Sequence, residues 1–192
     1  MASVEDFLMH HGIKGQKWGV ENGPPYPLNK KEYSALEKRM AGIQKQSDIT
    51  NKKSSNIKET YRKSFGKKGS TELLNNKLVS QSKIDDKFYK NVQDTRIYIN
   101  KLKRSRLYSN NEEAQKIFKQ YENSINDIIK NTSLLPESFY NQGRSRDRDM
   151  NNSVFLFGMA GYAGASTRTN KELTRLFNDP KLMAEWNEYL NS

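Results

Sequence analysis

The apolar residues of this chain recur at steps of three, four or their multiples over stretches of more than thirty residues, and that period constrains the fold more than any other feature. Leu74, Leu78, Ile84, Phe88, Val92, Ile99 and Leu102 trace one narrow, coiled-coil-like seam. Tyr33, Leu36, Met40, Ile43, Ile57, Tyr61 and Phe65 trace a second, with a polar gap between Ile49 and Ile57, and Ile117, Tyr121, Ile125, Ile128 and Ile129 a third. No segment alternates with a period of two, so a sheet is not expected. Only 34% of residues are hydrophobic and the mean hydropathy is −0.98, too little apolar surface for a large core but enough for long helices with thin stripes. The sequence therefore predicts an all-α protein: an elongated helical bundle with an extended N-terminal arm and a small helical C-terminal subdomain.

Capping and breaking residues set the boundaries. Ser3, Glu5 and Asp6 suit a short first helix with Val4, Phe7 and Leu8 as its apolar face. Four glycines and three prolines between Gly12 and Leu28 then favour an extended, partly polyproline path. Residues 1–28 thus read as an arm and 29–140 as a basic bundle. Asn29 caps the first long helix, Gly66 to Ser70 end it, and Ser70 or Thr71 starts the next, which runs towards Tyr108. Ser109 to Glu112 has capping-box spacing and opens a third helix, and Pro136 closes the bundle. Residues 141–153, with Arg144, Arg146 and Arg148 alternating against Asp147 and Asp149, read as a polar linker loop. Residues 154–192 form the C-terminal piece, with Asp179-Pro180 as cap and first turn of a last helix that buries Leu182, Met183, Trp186, Tyr189 and Leu190.

Charge is unevenly spread. Of the formal net charge of +11, residues 29–152 supply 27 bases and 15 acids, a balance of +12. Such a middle favours polyanions, with AT-rich coding as the bland alternative, since the chain holds 23 Lys and 20 Asn. Lys52, Lys53, Lys58, Arg62, Lys63, Lys67 and Lys68, interleaved with Tyr61 and Phe65, are the candidate nucleic-acid contacts, of the kind a sequence-independent binder uses. A solvated helix face gives the same string.

Chemistry is scarce. The absence of cysteine removes disulfides, thiolate metal sites and thiol catalysis. His10 and His11 are adjacent, so on a helix they diverge by about 100° and cannot jointly hold a metal. Gly66 to Ser70 lacks the ending of a phosphate loop, and no carboxylate pair stands out as a general acid and base. No catalytic residue, metal or cofactor is therefore expected. The longest apolar run, Val154 to Ala165, falls short of the roughly twenty residues a spanning helix needs, and no membrane partner is expected. Gly158, Gly161 and Gly164 would let a neighbouring backbone approach closely, for packing or self-association, with membrane insertion as the sharper alternative.

One segment carries a resemblance. His10-His11-Gly12-Ile13-Lys14-Gly15-Gln16-Lys17-Trp18-Gly19-Val20, continuing into Gly23-Pro24-Pro25-Tyr26-Pro27-Leu28, resembles an element, HHGIxGQKWGVxxGPPYPL, of structural and virion-associated proteins of tailed bacteriophages. Glu21-Asn22 stand where relatives commonly carry Arg-Arg. There the element is attached to otherwise dissimilar proteins, which implies docking or packaging. The resemblance implies a non-enzymatic virion protein, in the particle and in the host cytoplasm during assembly, bound at the capsid interior, portal or neck, or packaged as cargo. The docking residues it implies are His10, His11, Gly12, Gly15, Lys17, Trp18, Gly19, Val20, Pro24, Pro25, Tyr26 and Pro27. The rival expectation is a sequence-independent DNA-binding protein of the infected cell. Because the seam at 74–102 is too narrow to stand alone and the gap after Ile49 leaves its cover incomplete, a homo-oligomeric or multicopy assembly is expected.

Overall fold

The computed structural model describes residues 27–192, which form five helices: α1 Lys30–Ser64, α2 Ser70–Lys103, α3 Glu112–Lys130, α4 Glu137–Asn178 and α5 Pro180–Asn191, with no strand among the described residues. The all-α bundle is as expected. The short helix over Val4 to Leu8 and the arm to Tyr26 lie outside the described residues. Asn29 caps α1, its side chain accepting from the Glu32 N–H at 2.9 Å. Between α1 and α2 the chain reverses through Gly66 and Gly69, whose φ of 82° and 81° place them in the left-handed region that favours glycine. The two helices run antiparallel, each about 50 Å long at 1.5 Å per residue.

Two apolar cores lie along this pair. In the first, Leu36 and Ile43 of α1 meet Phe88, Val92, Ile99 and Leu102 of α2, and α3 closes it with Ile117, Phe118, Tyr121 and Ile125. Leu28 and Tyr108 seal its end. In the second, Ile57, Leu74 and Leu78 meet Phe139 and Leu173 of α4 and Trp186 and Tyr189 of α5. The C-terminal piece is helical, and its core is shared with α1 and α2.

Three local expectations are corrected. Asn111, not Ser109, caps α3: its side chain accepts from the Ala114 N–H at 3.0 Å, while Ser109 lies in the preceding turns and its N–H bonds the Ser105 carbonyl. Pro136 opens α4 instead of closing the bundle, because a proline just ahead of the first turn leaves no helical N–H unpaired. Residues 141–153 are not a loop but the middle of α4's first limb. Phe139, Gln142, Gly143, Arg146 and Met150 are buried at helical spacing. Between Phe139 and Met150 that stripe is filled by Gln142, Gly143 and Arg146, so it carries no hydrophobic period.

Helix α4 is a hairpin. Gly158 has φ 62° and ψ −148°, a conformation almost confined to glycine, and splits it into limbs 137–157 and 159–178. The limbs face each other antiparallel, as Arg146 bonding Thr169 and Asp149 bonding Arg168 show. The first limb seats closely on α2: a Cβ on Gly143 would lie 2.6 Å from the Leu78 carbonyl oxygen.

Candidate functional site

The gap between Ile49 and Ile57 is not a gap in the packing. The stripe of α1 continues through Ser47, Thr50 and Ser54, all buried, at the same alternating steps of three and four. On α2 the seam likewise passes through buried Gln81 and Asp85, and Ile84 is only half-buried, which corrects its place in the expected seam. These residues form a polar belt between the two apolar cores. Ser47 Oγ lies 2.7 Å from Thr132 Oγ1, whose hydroxyl donates to the Ile128 carbonyl. Asp85 accepts from Gln81 Nε2 at 2.7 Å and from the Leu135 N–H at 3.1 Å. Burial pushes the Asp85 carboxyl up to about 7 against those two hydrogen bonds, with the negative charge of Asp86 adding to the rise. Thr50 Oγ1 and Gln81 Oε1 have no hydrogen-bond partner. A perturbed carboxyl often marks chemistry, but here every member of the belt is buried, so no substrate reaches it. Polar groups at core positions of a coiled coil fix register, and that is the role this geometry can fill.

A second polar cluster locks the hairpin. Arg146 is 1% exposed, and its guanidinium donates to Thr169 Oγ1 at 2.7 Å, Asn76 Oδ1 at 3.0 Å, Asn170 Oδ1 at 3.3 Å and the Glu72 carboxylate. Burial works to raise the Glu72 carboxyl, but hydrogen bonds from Ser166 and Asn170 and the charge and hydrogen bond of Arg146 outweigh it and hold the group below its ordinary value. One arginine thereby joins α2 to both limbs of α4. Phenol–carboxylate pairs add further links: Tyr108 of the α2–α3 connection to Glu32 of α1, Tyr140 of α4 to Asp86 of α2, and Tyr121 of α3 to Glu37 of α1 at 2.6 Å.

The basic stretch divides in two. Lys58 Nζ donates to Ser192 Oγ at 3.1 Å and lies 5.0 Å from the centre of the Tyr189 ring, and Arg62 donates to the Leu190 carbonyl at 3.0 Å. Lys63 pairs with Glu59 one turn away. Lys52, Lys53, Lys67 and Lys68 are exposed and in no ion pair with the described residues. Tyr61 packs against Phe65, Phe177 and Trp186, and Phe65 also meets Phe177 edge-on. Tyr61 therefore serves the second core, while Phe65 lies at its edge, 54% exposed. Of the docking residues, His10, His11, Gly12, Gly15, Lys17, Trp18, Gly19, Val20, Pro24, Pro25 and Tyr26 lie outside the described residues, while Pro27 is half-buried beside buried Leu28. Among the described residues no group of His, Asp and Glu could hold a metal ion, and no helix is long and apolar enough to cross a membrane.

Arg146, Asp85 and Gln81 were not singled out by the sequence, and only their helical spacing from neighbours such as Phe139, Leu78 and Phe88 could have placed them inside. Residues 1–24 match a family of unknown function, DUF7211. Neither the curated proteins nor the solved structures contain a match to the chain. The matched family stops short of Asn29, the cap of α1, so the resemblance covers the arm and none of the bundle.

Proposed function

We propose that this chain is a non-enzymatic structural or cargo component of a tailed-phage particle, docked through residues 10–27 to the capsid interior, portal or neck. The observation that carries this reading is the coincidence of two boundaries. The family match ends at residue 24, and Asn29 caps the first described helix of a bundle that the match does not reach, as expected for a transferable segment attached to an unrelated body. The polar clusters of that body support the reading, because Asp85 and Arg146 are sealed inside and bonded to the fold itself. Trp18 and Tyr26 are the anchors of the arm: large, rigid side chains of this kind typically cost 2 kcal/mol or more, in order of magnitude about thirtyfold in affinity, when removed from an interface centre. Prolines 24, 25 and 27 lower the entropy lost on docking. Lys52, Lys53, Lys67 and Lys68 remain available for non-specific contact with packaged DNA.

The test is incorporation. In an infected culture that produces particles, Trp18→Ala with Tyr26→Ala should leave the helical bundle intact and deplete the chain from purified particles. Normal incorporation of that double variant would refute arm-mediated docking.

A further inference from the structure

The tip of the α4 hairpin is apolar, uncovered and free of charge. Met150 and Ala165 are the last buried residues on the two limbs, and nothing between them is buried. The seven residues from Asn151 to Phe157 therefore carry the hairpin about 10 Å beyond the body. At its end Phe155 is 88% exposed, Met159 79% and Phe157 72%, with Leu156 and Val154 also exposed. Gly161 holds the limbs together there, since a Cβ on it would lie 2.5 Å from the Phe157 Cβ and 2.9 Å from the Ser153 carbonyl oxygen. No Asp, Glu, Lys or Arg occurs from Met150 to Thr167.

Two features identify the medium that fits this tip. Val154, Phe155, Leu156 and Phe157 are consecutive, so at about 100° per residue they point in four directions around the limb. A groove in a partner protein covers one face of a helix, whereas the edge of a lipid leaflet surrounds it. Below the tip the exposed charges are mostly basic. Arg148 and Lys171, with Lys67 and Lys68 on the turn before α2, are in no ion pair with the described residues, against the unpaired carboxylate of Glu172. The Thr71 end of α2 lies level with Thr167, Asn170 and Lys171 on the second limb, which places that turn on the same side of the body as the tip.

We infer that the hairpin tip, residues 154–159, is a docking element for an anionic lipid bilayer, entering the interfacial layer of one leaflet while the basic residues behind it meet the headgroups. An apolar face lodged in such a layer sits about 5–10 Å deep, which matches the length of the tip. Basic residues near an anionic surface add to the affinity and make it dependent on salt. The tip does not span the bilayer, so the absence of a spanning helix among the described residues is compatible with this role. Peripheral contact of this kind goes beyond the sequence expectation of no membrane partner, which rested on the lack of a spanning segment.

The experiment uses the full chain and sucrose-loaded vesicles of phosphatidylcholine, with or without phosphatidylglycerol. The wild type should sediment with the phosphatidylglycerol vesicles and much less with phosphatidylcholine alone. Phe155→Ser with Phe157→Ser should weaken that binding by about tenfold or more, with unchanged helical circular dichroism. Ile97→Ser with Leu107→Ser, which removes exposed apolar side chains elsewhere, should not. Because the chain has no cysteine, an environment-sensitive dye can be placed at M159C alone; its emission should shift to the blue on adding the mixed vesicles, and the same dye at I97C should not respond. Three results would overturn the inference: no vesicle binding by the wild type, equal binding by the tip double variant, or a lipid-independent dimer in sedimentation velocity that the tip double variant abolishes. The last would assign the tip to a second copy.

Discussion

Replacing Asp85 by asparagine tests whether the polar belt is as tightly sealed as its geometry indicates. In the folded protein burial lifts this carboxyl from an ordinary 3.8 to about 7. Between those values the folded state holds a proton that the unfolded chain has released, so stability falls as the pH rises through the window and levels off above it. At about 1.36 kcal/mol per pH unit the full displacement is worth about 4 kcal/mol, and relaxation around the carboxylate reduces the expected loss to about 2–4 kcal/mol. The amide introduced by Asp85→Asn has no proton to lose. Its carbonyl oxygen keeps the bond from the Leu135 N–H, and its nitrogen can donate to Gln81 Oε1, which has no partner in the wild type. Wild type and Asp85→Asn should therefore be about equally stable near pH 4, and the variant more stable by about 2–4 kcal/mol at pH 8. Urea unfolding followed by far-ultraviolet circular dichroism across that range measures the difference. Taking the difference cancels groups common to both chains, such as Glu72, whose lowered value gives stability that is lost on acidification. Parallel pH profiles for the two chains, or a wild type that gains on the variant as pH rises, would refute the reasoning.

Other substitutions probe the packing. Phe88→Asp places a carboxylate at a fully buried seam position; removal of the ring alone costs about 3–5 kcal/mol, so the variant should be unfolded by circular dichroism, whereas exposed Lys87→Asp should stay within about 0.5 kcal/mol of wild type. Arg146→Ala strands Glu72 and the polar groups of α2 and α4. It should cost about 3–5 kcal/mol in urea unfolding and open residues 141–153 to limited proteolysis. Gly158→Ala forces a side chain into the positive-φ turn of the hairpin and should cost about 1–3 kcal/mol. Gly164→Ala, where a Cβ meets nothing within 4 Å, should be neutral or stabilising by thermal unfolding.

What was legible in the sequence was whatever hydrophobic periodicity or capping chemistry could mark. Asn29, the turn from Gly66 to Ser70 and Asp179-Pro180 delimit helices because each satisfies or removes orphan backbone groups in a type-specific way, and all three stand where expected. Apolar stripes located most of both cores. Ser47, Thr50, Ser54, Gln81 and Asp85 were invisible because hydropathy assigns such residues to the surface, although their spacing continues the stripes. Arg146 shows the same limit more strongly: a run of alternating Arg and Asp has the composition of a loop, and only the partners supplied by Glu72, Asn76, Thr169 and Asn170, distant in sequence, make its burial favourable. The glycines and apolar run of the tip are plain in the sequence, yet its exposure depends on how far α2 reaches along the hairpin, which no local pattern encodes.

The central claim, that this chain is a component of a phage particle, is tested most directly by quantitative mass spectrometry of particles purified from the culture that makes the protein. The chain should be present at a fixed ratio to the major capsid protein, and that ratio should survive nuclease treatment and a density gradient. Its absence from purified particles, with the protein abundant in the infected-cell lysate, would contradict the claim and favour a role within the cell.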